Sequence, residues 1–255
     1  MPTQAYSKVR RRRHFGENEV SLKTGALRMK FDVISIFPHM FERVFEKGVV
    51  GKACENGLLQ IKVHNLRAYT TDKHQTVDDI PYGGGGGLVF KVEPLVASLR
   101  AIQDLSLKSR SILLSPRGRP LSDDVAQALS KYEQLILFCG RYEGVDERFL
   151  DYIDEELSLG DFVLSGGEIA AMAVMDAVSR FIPGVVGQEK APYEDSFSDG
   201  KLEYPYYTRP DVFEGKTVPE ILKSGHHGKI EAWRNEEALK CTLQKRPDLL
   251  QKPRS

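Results

Sequence analysis

The chain has 255 residues, 41% hydrophobic and 28% charged, enough for one sizeable core and a smaller second unit. Its formal net charge of zero excludes a general attraction to polyanions, and its three cysteines, Cys54, Cys139 and Cys241, lack CxxC spacing, which argues against a cysteine metal site and for a reducing compartment. No run of about 18 apolar residues occurs and no apolar segment makes the basic N-terminus a secretion signal, so the expected setting is the cytoplasm.

The charge is uneven along the chain. Residues 1–28 hold seven Lys or Arg against two Glu, residues 29–200 hold 18 basic against 26 acidic residues, and residues 201–255 hold 11 against 8. The head has no apolar periodicity, and its Arg10 to Arg13 run reads as a solvated tail, with a nucleic-acid contact as the alternative.

KFDVISIFP, Lys30 to Pro38, reads as a buried strand ended by proline, and HMFERVFEKGVVGKA follows at helical spacing. LLQIKVHNL, Leu58 to Leu66, is the next strand. A polar loop with five consecutive glycines, Gly83 to Gly87, leads to a helix around Glu93 to Ala101. SILLSPRG, Ser111 to Gly118, is a strand that stops at Pro116; Ser122 is placed to cap a short helix in SDDVAQALSKY; and QLILFCGRYEG, Gln134 to Gly144, repeats the strand and glycine-turn plan, with Cys139 filling space at the strand end. After a Gly166–Gly167 turn, a helix runs from about Glu168 to Phe181 with a small packing side of Ala170, Ala171, Ala173, Val174 and Ala177, which suits close approach of another backbone at either an intrachain or a subunit interface. The alternation predicts an α/β domain with a mostly parallel sheet over residues 29–187, a linker at 188–200 containing APYEDSFSDG, and a small, mainly helical domain at 201–255.

Three apolar strands are each followed by a glycine-bearing turn: LLSPRG, FCGRYEG and LSLGDFVLSGGE. In an open α/β sheet such turns lie outside the carboxyl ends of the strands, where ligands bind, and glycines let backbone groups approach a planar or phosphorylated ligand. The pocket is not an ordinary dinucleotide or ATP site, because GxGxxG and GxxxxGK[ST] are both absent. His226, His227 and Glu231 lack HExxH spacing, and SGGE lacks the elbow of a serine nucleophile.

Taken together, MKFDVISIFP, HQTVDDIPYGGGGGLVFKVEPL, LLSPRGRPL, FCGRYEGVDERF, EELSLGDFVLSGGEIAAMAVMDAVSRFIPGVVG, EDSF, DGKLEYPYYTRPDVFEGKTVPEILKSGHHGKIEAWR and RPDLL resemble, in family order from Met29 to Leu250, the bacterial tRNA (guanine-N1)-methyltransferases of the TrmD type. Residues 1–28 fall outside the resemblance. It implies a trefoil-knotted α/β domain of the SPOUT methyltransferase class and methyl transfer from S-adenosylmethionine to N1 of guanosine 37 of tRNA when guanosine occupies position 36. It also implies a homodimer with sites at the subunit interface.

Carried over residue by residue, the resemblance places the donor site at Leu113, Leu114, Ser115, Pro116 and Gly118, at Gly140, Arg141, Tyr142, Glu143 and Gly144, and at Leu159, Gly160, Phe162, Leu164, Gly166 and Gly167. Asp195 matches the general base and Arg180 the cation facing the guanine oxygen. Phe162 stands where the family often has Tyr, and Gly86 where Ala is common. Mg²⁺ assistance is also implied without assigned ligands, Glu143 being a candidate for donor-site electrostatics or ion interaction. The 201–255 unit is implied to hold the anticodon arm, with Arg209, Lys216, Lys223, Lys229 and Arg234 as candidate phosphate contacts and His226 or Trp233 as base or packing contacts. The rival reading is a noncatalytic RNA-binding protein with a retained adenosine pocket.

Overall fold

Two apolar runs lie side by side at the middle of a parallel sheet in the computed structural model, which describes residues 27–188 and 190–251. The basic head falls almost wholly outside the described residues, so the tail reading of Arg10 to Arg13 lies outside them too. In chain order the elements up to the end of the sheet domain's last long helix are β1 (Met29–Ser35), α1 (Gly48–Glu55), β2 (Leu59–Asn65), β3 (Asp78–Asp79), β4 (Val89–Phe90), α2 (Val92–Ile102), β5 (Ser109–Pro120), α3 (Asp123–Leu129), β6 (Gln134–Cys139), β7 (Glu155–Ser158) and α4 (Glu168–Ser179). They are followed by α5 (Ala191–Glu194), the short hairpin β8 (Val212–Phe213) and β9 (Lys216–Thr217), α6 (Glu220–Lys223) and α7 (His227–Lys245).

The five-stranded sheet has the order β2-β1-β6-β5-β7, with every neighbouring pair parallel. Parallel strands covered on both faces need continuous apolar runs, and all six residues of β6, QLILFC, are buried. Side chains alternate across the sheet. Leu135, Leu137 and Cys139 face α1, α3 and α4 through Val50, Ala53, Leu129, Ala171 and Val174; Ile136 and Phe138 face α2 through Leu95 and Leu99, and β4 through Phe90. Each large side chain so buried contributes about 1.5–3 kcal/mol relative to water. The small residues expected on α4 serve this packing: Ala170, Ala171 and Val174 are buried against the sheet.

One carboxylate sits inside the sheet. Asp32, in β1, is fully buried and accepts hydrogen bonds from His64 Nε2 and Gln134 Nε2 at 2.7 Å each, with Lys30 Nζ at 3.2 Å. Burial alone would raise its pKa, but His64, Gln134 and Lys30 outweigh it and hold the carboxyl below the usual range.

Two expectations are corrected. The helical spacing after Pro38 is realised only in its second half, because Arg43 (φ 78°) and Gly48 (φ 77°) take left-handed backbone conformations that break a continuous helix; the first half is a 3-10 turn, Pro38–Phe41. The strand expected to stop at Pro116 continues to Pro120, with a bulge that places the prolyl residue outside the ladder. Ser122 caps α3 as expected, its Oγ accepting from Val125 N at 3.4 Å. Cys139 is buried at the end of β6, and burial pushes its thiol well up.

The chain after α5 is mainly helical. Leu202 N donates to Thr242 Oγ1 at 2.9 Å, tying the start of this region to α7, in which Thr242 is buried. No helix among the described residues is long and apolar enough to cross a membrane.

Candidate active site

At the carboxyl ends of β5, β6 and β7 three loops converge. Leu114 and Arg119 both lie opposite Leu157 of β7, so Ser115–Gly118 is extruded from the ladder as a four-residue bulge. Its return is set by Gly118: an added Cβ would lie 2.3 Å from Leu157 N and 2.4 Å from the Glu156 carbonyl carbon. Both neighbours are strand backbone, which cannot rotate away. Gly118→Ala is therefore expected to cost about 1–3 kcal/mol of stability, read by thermal unfolding.

The second loop follows β6. Tyr142 adopts a left-handed backbone (φ 59°), and the loop is pinned from both sides: Glu143 N donates to Leu88 O, and Phe90 N to Gly144 O, each at 3.0 Å. The Tyr142 ring meets Phe90 edge-on at 5.5 Å. The third loop leaves β7 through a tight turn in which Gly160 N donates to Ser158 Oγ and Ser158 Oγ donates back to Gly160 O, both at 3.1 Å. Leu159 and Leu164 pack on the core, whereas Phe162 and Val163 are exposed. The loop closes on the second one through Gly167 N donating to Gly140 O at 2.9 Å. That approach needs glycine, since a Cβ at Gly167 would stand 2.7 Å from Cys139 Cα.

A buried ion pair locks this junction. Glu168, the first residue of α4, has a side chain only 1% exposed; it receives Ser35 Oγ–H at 2.7 Å and the Arg141 guanidinium at 3.1 Å. Arg141 also stacks over Phe37, 4.4 Å from the ring centroid. One carboxylate thus joins the ends of β1 and β6 to the start of α4.

Arg180 and Asp195 form a separate cleft. Arg180 ends α4, and its Nη2 donates to Asp195 Oδ2; Asp123, Ser196 and Glu203 complete a cleft of about 320 Å³. Asp195 terminates α5 and does not start a helix, so its carboxylate is used outward and not as an N-cap. Reciprocal bonds hold the EDSF segment in place: Ser196 N to Glu203 Oε1 at 2.9 Å and Glu203 N to Ser196 Oγ at 3.0 Å. Burial, then the adjacent Asp124, push the Asp123 carboxyl up, with the Arg180 charge opposing them.

A family model described as tRNA (Guanine-1)-methyltransferase TrmD matches residues 29–252. The chain belongs to that family. It is 52% identical over 225 residues to the tRNA (guanine-N(1)-)-methyltransferase of Geobacter sulfurreducens, covering 88% of this chain and 92% of the relative. It is 48% identical over 224 residues to the protein of the same name from Clostridium perfringens strain SM101, covering 88% and 94%.

Against the TrmD pattern, the structure brings the three expected donor loops together: Leu113 to Gly118, Gly140 to Gly144 and Leu159 to Gly167. It does not bring Arg180 and Asp195 to them within one chain. They lie at the opposite end of α4, whose 12 residues span about 18 Å. Phe162 keeps its ring exposed without the family's hydroxyl, and Gly86 has neither a left-handed φ nor any atom within 4 Å of an added Cβ, so the family's Ala would fit there unstrained. Glu168, Asp123, Ser196 and Glu203 were not expected at the site. An acidic residue at the start of a helix reads as ordinary dipole complementation, and nothing local signals that Glu168 turns inward.

Among the described residues no group of three or more His, Cys, Asp or Glu is placed to hold a metal ion. Glu143 is not part of such a group, and no step below passes through a metal ion. Of the candidate RNA contacts, Lys223 is engaged by Glu220 at 2.7 Å and Asp211 at 3.6 Å, and Arg234 stacks over Tyr204 at 4.7 Å. Trp233 is half-buried with Tyr207, ring centroids 6.3 Å apart.

Proposed function

We propose that this chain transfers the methyl group of S-adenosylmethionine to N1 of guanosine 37 in tRNA bearing guanosine at position 36. The observation that carries the chemistry is the direct pairing of Asp195 with Arg180 at an open cleft. A carboxylate beside a guanidinium is complementary to the Watson–Crick edge of guanine, where the N1–H donor adjoins the O6 acceptor. The guanine edge replaces each partner's bond to the other.

In the reaction, N1 attacks the donor methyl carbon, the carbon–sulfur bond breaks, and the sulfur leaves as a neutral thioether. Asp195 receives the N1 proton, and Arg180 faces the charge that grows on O6. The three glycine-lined loops hold the donor through backbone groups, with Phe162 and Tyr142 offering exposed ring faces. In-line transfer requires reacting atoms about 3–3.5 Å apart. With the two halves at opposite ends of α4, a homodimer that sets the donor loops of one protomer against Arg180 and Asp195 of its partner meets that requirement. The exposed Phe162, Val163, Ile169 and Tyr193 favour such an association.

The same reading makes residues 29–187 a trefoil-knotted domain. Supporting it, α4 returns from the β7 edge to pack on β6 and β1, crossing the second loop at the Gly167–Gly140 bond. Residues 188–200 present Asp195, and residues 201–255 hold the anticodon arm in the cytoplasm. Nucleotide-resolved product mapping tests the whole. Incubation with donor and unmodified tRNA is expected to place one methyl on N1 of guanosine 37 and to lose it when position 36 is changed. Methylation elsewhere, or tRNA retention without product, overturns the reading.

A further inference from the structure

A second cleft, of about 260 Å³, lies between β5, β7 and the C-terminal end of α3. Four cations, Lys108, Arg110, Arg119 and Lys131, surround Tyr132 and a single lining carboxylate, Glu155. This is a local reversal of charge, since residues 29–200 carry 18 basic against 26 acidic residues.

Glu155 does not neutralise the group. Its two oxygens are each taken by one arginine, Arg110 Nε at 3.0 Å and Arg119 Nε at 2.6 Å. Among the described residues the Nη groups of both arginines have no other protein partner, which leaves planar forks for an anion. Lys108 and Lys131 are exposed and have no carboxylate within 4.0 Å among the described residues. Glu133, two positions from Lys131, accepts from the Lys108 backbone N–H at 2.8 Å. The Tyr132 ring carries Lys108 Nζ at 4.8 Å and Arg110 Cζ at 5.8 Å from its centroid, holding both cations at the cleft.

Position connects this cleft to the chemistry. Asp123, at the first turn of α3, lines the Arg180–Asp195 cleft, whereas Ala128 and Leu129, at its last turn, line the basic one. Seven helical residues span about 10 Å, so a strand with one base in the first cleft passes its backbone within a nucleotide or two of the second.

We propose that this cleft binds the phosphodiester backbone of the substrate RNA beside the methylated nucleotide, a contact separate from the C-terminal helices. The proposal rests on the tRNA reading above. Its occupant is RNA and not an acidic protein segment, because the cations are spread along an open cleft next to the guanine-binding pair.

The test uses the full chain and the double variants Lys108→Ala/Lys131→Ala and Lys108→Glu/Lys131→Glu, with tRNA affinity measured over a salt series. Two lost phosphate contacts are expected to reduce the slope of log affinity against log salt by about 1.4–1.8. Donor affinity and the rate at saturating tRNA are expected to stay at the wild-type level, and the Glu variant is expected to bind more weakly than the Ala variant. An unchanged salt slope, or an equal loss of donor affinity, overturns the proposal. Wild-type protein that fails to methylate tRNA sinks the functional reading instead, so the two failures are distinguishable.

Discussion

Asp195→Ala is expected to lower the single-turnover rate of methyl transfer by about 10²–10⁴-fold, the usual contribution of a positioned general base. Guanine N1 bears a proton at neutral pH and has no free lone pair for attack, so a base must take that proton as the carbon–nitrogen bond forms. The three glycine-bearing loops proposed to hold the donor are built from other elements, at the far end of α4, so donor affinity is expected to be nearly unchanged. Stability should change little as well: the Arg180–Asp195 side chains are 48% and 34% exposed, and a pair that open to water is worth about 0–1 kcal/mol. A parallel fall in donor affinity and rate, measured by titration and rapid quench, would show that Asp195 shapes the fold of the site and does not act as its base.

Glu168→Ala is the second large effect, and it falls on stability. Removing one member of a buried ion pair costs about 3–5 kcal/mol because the other charge is left without a partner. Arg141 is 18% exposed and recovers some hydration, which puts the expected loss near the lower end, about 3 kcal/mol. The loss should appear in urea unfolding as a lower midpoint. It should also loosen the donor loops, because Glu168 is the common acceptor for Ser35 and Arg141. Glu168→Gln, which keeps the size and the acceptor oxygen, is expected to recover part of both. A midpoint equal to that of the wild-type chain for Glu168→Ala would mean that Arg141 finds another partner and that the junction is held by packing alone.

Much of the architecture was legible in local patterns. The apolar run LILFC read as a strand, and it lies in the middle strand, buried throughout. SDDVAQAL carried its own helix start, with Ser122 as cap. Local patterns failed where the backbone left the ordinary regions: helical spacing around Arg43 did not reveal its left-handed φ, and Pro116 read as a strand end because a four-residue bulge after which the ladder resumes at Arg119 has no signature in composition. The site was legible differently. Its glycine turns pointed to a ligand at the strand ends, while Asp195 and Arg180 drew their roles only from family resemblance.

By itself, then, the sequence determined the alternation of strands and helices, the polar turns after β5, β6 and β7, and membership of a methyltransferase family, because propensity, periodicity and motif order are all encoded in near neighbours. Only the tertiary structure decided that Glu168 reaches Ser35 across 133 positions, that the Gly118 bulge rests on β7, that Arg180 and Asp195 face each other away from the glycine-bearing loops, and that four cations gather around Tyr132. Each of these joins residues from separate elements. Such contacts follow from which strand lies beside which, and no spacing along the chain records that order.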